Sequence, residues 1–123
     1  MKIIKTNKAP AAIGPYCAAI KVGNMIFTSG QIPVNPEDGS MSSDIKEQKR
    51  QSLNNIKGIL SEEGYTLSDV VKTTVFITDM SQFADINQVY GEMFGEHKPA
   101  RSCVQVAKLP KGAGIEIEVI ATK

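Results

Sequence analysis

Histidine, cysteine and excess charge are what this sequence is short of. Its 123 residues include one histidine, His97, and two cysteines, Cys17 and Cys103. A structural zinc site takes about four nitrogen or sulfur ligands and a catalytic one about three plus water, so this supply furnishes no zinc centre. No acidic cluster points to a carboxylate magnesium site. The cysteines show no CxxC spacing, and two distant thiols are not a disulfide framework. Formal net charge is +1. That argues against the broad surplus of Lys and Arg behind a dominant nucleic-acid footprint, and leaves a local basic patch open. No apolar run approaches the roughly 20 residues of a membrane span. The start, Met1-Lys2-Ile3-Ile4-Lys5-Thr6, lacks the apolar stretch of a signal peptide, so a cytoplasmic protein is expected. Gly112-Ala113-Gly114 leads into a strand pattern rather than a helix and is no dinucleotide loop. There is no P-loop and no nucleophile elbow.

What is there suits one soluble domain spanning 1–123. The chain is 41% hydrophobic and 22% charged, and its length supports a single core without staples. Strand patterns cover Ile3-Ile4, Tyr16 to Val22 and Met25 to Ser29, with Gly23-Asn24 as a hairpin turn between the last two. Residues 33–39 read as a loop. Asp44 to Glu63 reads as a helix: Ile45, Leu53, Ile56 and Leu60 recur at helical spacing, Ser43 or Asp44 can cap its start, and Gly64 suits its end. Val70 to Thr78 is β-branched and aromatic, hence a strand. Ser81 to Phe94 is a second helix with Phe83, Ile86, Tyr90 and Phe94 as its stripe. Ala100 to Ala107 and Ile115 to Ala121 are the last strands. The order βββαβαββ predicts an α+β sandwich with one mixed sheet and both helices on one face. In the strand from Val70, one alternating set is Val71, Thr73, Val75 and Ile77, the other Val70, Lys72, Thr74 and Phe76. Neither is purely polar, so the face away from the helices also needs cover, and a homo-oligomer is the economical answer.

Several residues could carry chemistry. Arg101 opens a strand directly after a loop, sharing a face with Cys103 and Gln105. Its planar fork could hold a carboxylate bidentately, or it could be a surface arginine in a weak ion pair. Glu116 and Glu118 share a face in the run Ile115-Glu116-Ile117-Glu118-Val119-Ile120. Desolvation there would fit Glu116 for proton transfer, and plain amphipathic alternation is the alternative. Gly14-Pro15-Tyr16 delivers a tyrosine to a strand start. Ser29-Gly30-Gln31 ends a strand at a glycine, where a backbone N–H can approach a ligand. Asn87 borders the second helix's stripe and faces either sheet or solvent. Cys103 with His97 suggests a thiol nucleophile, but no third orienting group accompanies them.

Four segments together resemble the Rid (reactive intermediate deaminase) family, also called YjgF, and its RidA subgroup. They are Ala12-Ile13-Gly14-Pro15-Tyr16, Thr28-Ser29-Gly30-Gln31-Ile32-Pro33, Val71-Lys72-Thr73-Thr74-Val75-Phe76, and Pro99-Ala100-Arg101-Ser102-Cys103-Val104 followed by Ile115-Glu116-Ile117-Glu118. The resemblance implies a chorismate-mutase-like fold and a homotrimer with sites in clefts between subunits. It implies hydrolytic deamination of 2-imino acids and their enamines, such as 2-iminobutanoate and 2-iminopropanoate, to 2-oxo acids and ammonia. These imines leave pyridoxal-phosphate dehydratases, and the deaminase itself takes no cofactor. On this resemblance Arg101 binds the substrate carboxylate. Glu116 positions or activates the water and handles protons at the imine nitrogen. Tyr16 lines the pocket, and Ser29, Gly30, Asn87 and Cys103 surround the ligand, Gly30 and Cys103 through backbone groups. The segment from Phe94 to Pro99 is compact, which implies an altered cleft rim.

The chemistry suits these residues, because a protonated C=N is already electrophilic and needs orientation and modest acid/base help rather than a strong nucleophile. Two other classes of function stay open: ribonuclease or translation inhibitor, against which the net charge and the absence of a second histidine weigh, and a metabolite-binding regulator or chaperone without turnover.

Overall fold

The computed structural model describes residues 1–123 and contains one six-stranded mixed sheet backed by two helices. The strands are β1 (Lys2–Ile4), β2 (Ala19–Val22), β3 (Met25–Thr28), β4 (Val70–Ile77), β5 (Ala100–Gln105) and β6 (Ile115–Thr122), with α1 (Ile45–Ser61) and α2 (Phe83–Phe94) between them. Their order across the sheet is β1-β2-β3-β6-β4-β5. Only β4 and β5 run parallel, as the α2 crossover between them requires. The predicted order βββαβαββ is the observed one. No helix is long and apolar enough to cross a membrane.

Helix α1 begins where Asp44 accepts hydrogen bonds from the N–H groups of Lys46 (2.8 Å) and Glu47 (3.2 Å), satisfying donors a helix start leaves orphaned. Its stripe of Leu53, Ile56, Ile59 and Leu60 is fully buried against Ile26 of β3 and Ile115, Ile117 and Val119 of β6 in one core cluster. Full burial of each such side chain stabilises by about 1.5–3 kcal/mol. Asn55, also fully buried, donates through Nδ2 to the carbonyls of Ile32 (3.3 Å) and Val34 (3.0 Å) and so ties the segment after β3 to the helix.

Three local features differ from the sequence pattern. Strand β2 starts at Ala19 instead of Tyr16, because Cys17 and Ala18 are held by Ser29 alone: its hydroxyl donates to the Cys17 carbonyl (2.6 Å) and its N–H to the Ala18 carbonyl (2.8 Å). A short 3₁₀ turn over Met80–Gln82, capped by Asp79, takes up what looks like the first turn of α2. Simple alternation puts Val70 on the face of Lys72 and Phe76. A bulge between Val70 and Lys72 instead buries Val70 completely and leaves Val71 exposed, since an extra residue flips the alternation. The face away from the helices keeps Ile3, Val22, Met25, Phe27, Val71 and Val104 exposed.

Candidate functional site

Arg101 is placed by the register of the parallel pair. It lies opposite Thr73 of β4, which lies opposite Val119 of β6, both buried beneath the helices. The arginine therefore rises on the helix side of the edge strand β5 and meets α2. Its Nη1 donates to Asn87 Oδ1 at 2.7 Å, and its Cζ lies 4.9 Å from the ring centroid of Tyr90 and 5.3 Å from that of Phe83. Tyr90 is fixed in turn by a 2.9 Å hydrogen bond between its hydroxyl and Thr73 Oγ1. The guanidinium is thus oriented by one amide and two rings, both favourable settings for a delocalised cation. It pairs with no carboxylate, and one hydrogen bond of its own leaves four of its five N–H groups free. They face an open cleft bounded by Asn87, Tyr90, Phe94, His97 and Pro99. Gly95, at φ +64°, ends α2 in a conformation glycine suits best, and His97 Nε2–H donates to the Val70 carbonyl at 2.6 Å. The compact 94–99 segment thereby forms the cleft rim. Cys103 shares the arginine's face two residues on, half-buried and unbridged.

Glu116 stands on the other face. It lies opposite Phe76, one step out of phase with Thr73, while Ile115 and Ile117 on either side of it are fully buried under α1. Glu118 shares its face. Burial first, and the neighbouring Glu118 charge second, push the Glu116 carboxyl above its ordinary value, as desolvation and like charge both do. Its side chain lies against Gly30: a Cβ there would come within 2.7 Å of Glu116 Cδ, so only glycine lets the carboxyl take this position. Gly30 follows β3 and is clamped by the exchange between Gln31 and Ile117, N–H to O at 2.8 and 3.1 Å. Gly30 and Tyr16 line one hollow, and Tyr16 and Ser29 line the next. Tyr16 is more than half exposed.

The expected residues thus fall into two groups. Arg101, Asn87 and Cys103 sit with α2 on the helix side of one sheet edge, and Tyr16, Ser29, Gly30 and Glu116 gather near the opposite face. Within one chain Arg101 and Glu116 do not meet. Three members of the arginine's surroundings carry no functional signal in the sequence. Phe83 and Tyr90 read as core stripe, which they also are. Lys49, which lies over Tyr90 with Nζ 4.6 Å from its centroid, was legible only as the fourth residue after Ile45 on the buried stripe of α1.

Comparison with known proteins gives a consistent picture. A family described as endoribonuclease L-PSP matches residues 6–123. The 2-iminobutanoate/2-iminopropanoate deaminase of Escherichia coli strain K12 is 54% identical over 125 residues, covering 99% of this chain and 98% of that protein. A RutC family protein of Haemophilus influenzae is likewise 54% identical, over 99% of this chain and 97% of its own length. The crystal structure of E. coli TdcF with bound serine superposes with a TM-score of 0.97 at 52% identity, covering 100% of this chain and 99% of that one.

Proposed function

The chain belongs to the endoribonuclease L-PSP family, the Rid/YjgF proteins, and from that premise we propose that it hydrolyses small 2-imino acids to 2-oxo acids and ammonia. The observation that carries this is the Arg101 guanidinium, fixed by Asn87, Phe83 and Tyr90 and free of any carboxylate of its own. A substrate carboxylate is what such a fork takes, through two parallel charge-assisted hydrogen bonds. The E. coli relative named for 2-iminobutanoate and 2-iminopropanoate, and the TdcF structure with serine, supply the size and class of ligand.

The two half-sites come together across a subunit boundary in a homotrimer: Arg101, Asn87 and Cys103 of one protomer face Tyr16, Ser29, Gly30 and Glu116 of the next. The opposite-face placement supports this, since one chain cannot bring its own pair together, and the exposed apolar residues away from the helices supply a surface to bury. With the carboxylate on Arg101, water attacks C2 of the protonated imine and gives its proton to the Glu116 carboxylate. Glu116 returns that proton to the carbinolamine nitrogen and takes up the hydroxyl proton as the C–N bond breaks, so that ammonia leaves, the hydroxyl oxygen becomes the carbonyl of the 2-oxo acid, and Glu116 passes its proton to solvent. No metal or organic cofactor takes part. The Glu116 carboxyl, raised above its ordinary value by burial, suits a proton shuttle better than a fully solvated glutamate does. The imines are products of pyridoxal-phosphate dehydratases.

The test couples the protein to a threonine dehydratase and follows 2-oxobutanoate. Arg101→Ala should lower kcat/KM by about 150-fold or more, since two hydrogen bonds between charged groups are lost and each contributes about 1.5–3 kcal/mol, with the oligomer intact by light scattering. An unchanged rate would sink the assignment.

A further inference from the structure

Lys49 stands behind the Arg101 cleft without a partner. It lies on the core stripe of α1, is fully buried, and its Nζ makes no hydrogen bond. The ring it lies over, Tyr90, is the ring that flanks Arg101, with Nζ and Cζ 4.6 and 4.9 Å from the same centroid. No carboxylate pairs with it. Arg101 and Cys103 are the ionisable groups of β5 on that side, and Tyr90 is that of α2. Glu92 of α2 pairs with Arg50 at 3.0 Å instead. The core-facing residues of β3, β4 and β6 are Ile26 and Thr28, then Val70, Thr73, Val75 and Ile77, then Ile115, Ile117, Val119 and Ala121, none of them ionisable, and Lys21 of β2 pairs with Glu63 at 3.3 Å. A buried ammonium so placed gives up its proton rather than its burial. Burial first and repulsion from Arg101 second bring Lys49 down to about 7, with Cys103 opposing.

We propose that Lys49 is a positioning residue that couples anion binding to proton uptake: its buried, unpaired Nζ holds a proton loosely in the free site, and a carboxylate seated on Arg101 draws a proton onto it. This rests on Arg101 being the carboxylate clamp. An anion there cancels the charge that repels the ammonium and adds one that attracts it. Linkage makes the effect reciprocal, so a protonated Lys49 holds the carboxylate more tightly. The site therefore selects monoanionic 2-imino and 2-oxo acids over their neutral esters and amides twice, once through Arg101 and once through the charge that arrives behind it.

The test is calorimetric titration with pyruvate near pH 7.5 in two buffers of different ionisation enthalpy, with affinities followed from about pH 6.5 to about pH 8.5. The wild-type protein should take up part of a proton per pyruvate and lose about three- to tenfold in affinity over that range. Lys49→Met, which removes an unpaired buried amine and keeps the side chain's length, should bind pyruvate with no uptake and a flat profile. Lys49→Arg, permanently charged, should also show no uptake. Equal uptake in wild type and Lys49→Met, or Arg101-dependent binding with no uptake in the wild type, overturns the coupling and leaves the carboxylate clamp standing. Binding that does not depend on Arg101, or no binding, overturns both.

Discussion

Arg101→Lys separates charge from shape at the cleft. Lysine keeps the positive charge but not the planar fork, and it stacks less well between Phe83 and Tyr90. We expect kcat/KM in the coupled dehydratase assay to fall by about tenfold, one lost charge-assisted hydrogen bond. An unaltered value would mean that a point charge suffices. Glu118→Gln tests the other half-site. Because the Glu118 carboxylate helps raise Glu116, its neutralisation should move the acid limb of the kcat/KM profile to lower pH, and an unmoved limb would mean that Glu116 does not set it. Lys49 bears on stability as well. Its proton is bound more weakly in the folded protein, at about 7, than at its ordinary 10.5. Between those values the unfolded chain holds more protons, so folding stability rises with pH across that window and is lowest below it. Lys49→Met should therefore stabilise the protein near neutral pH by roughly 2–5 kcal/mol and flatten the rise, read from urea denaturation at several pH values. The sequence showed Arg101 at a strand start after a loop, yet on local pattern a surface ion pair fitted as well. What decides between them, the rings of Phe83 and Tyr90 and the amide of Asn87, comes from a helix 11 to 18 residues earlier in the chain and is visible only once β5 lies beside β4.

Elements place the half-sites, and their errors propagate. Gly30 holds its position because Asn55 fixes the carbonyls of Ile32 and Val34 from the far side. Asn55→Ala leaves two carbonyls short of a donor in a buried setting and should destabilise by about 1–3 kcal/mol, with KM raised more than kcat is lowered, measurable by denaturation and steady-state kinetics on one preparation. The hairpin, both helices and the order of strands were legible because each rests on period and punctuation: Gly23 in its turn, Asp44 at its cap, Leu53 to Leu60 on their stripe. The start of β2 was not, since Tyr16 to Ala18 have strand-like residue types and only the Ser29 hydroxyl, from another segment, keeps them off the ladder. The bulge at Val71 was equally silent, because Val70-Val71 alternates as well in one phase as in the other.

For the whole molecule, the separation of Arg101 from Glu116 across the sheet predicts complementation. Chains carrying Arg101→Ala and chains carrying Glu116→Gln should each be inactive alone. Co-expressed, they should regain about one quarter of wild-type activity, the share of boundaries in a randomly mixed ring at which an intact arginine meets an intact glutamate. No recovery in verified mixed oligomers would place each site within one chain. Half-apolar alternation in β4 signalled that the second face of the sheet needs cover, and Phe27, Met25 and Val104 stand exposed there. Which residues face which partner was beyond the sequence, because that depends on the phase of two strands that pair with β4 from opposite sides.

Strand β6 sets the order in which this molecule can be made. It lies between β3 and β4 although it follows all other strands in the chain, and it pairs Phe27 with Ile120 across more than ninety positions. The hairpin of β2 and β3 and the unit of β4, α2 and β5 can each form as synthesis proceeds. They remain two unlinked pieces with open hydrogen-bonding edges until β6 arrives, a slow and long-range closure. The strand that joins them is also the one that carries Glu116, so no half-folded chain holds in place the group proposed to handle protons, and the proposed site waits for the last piece of the sheet.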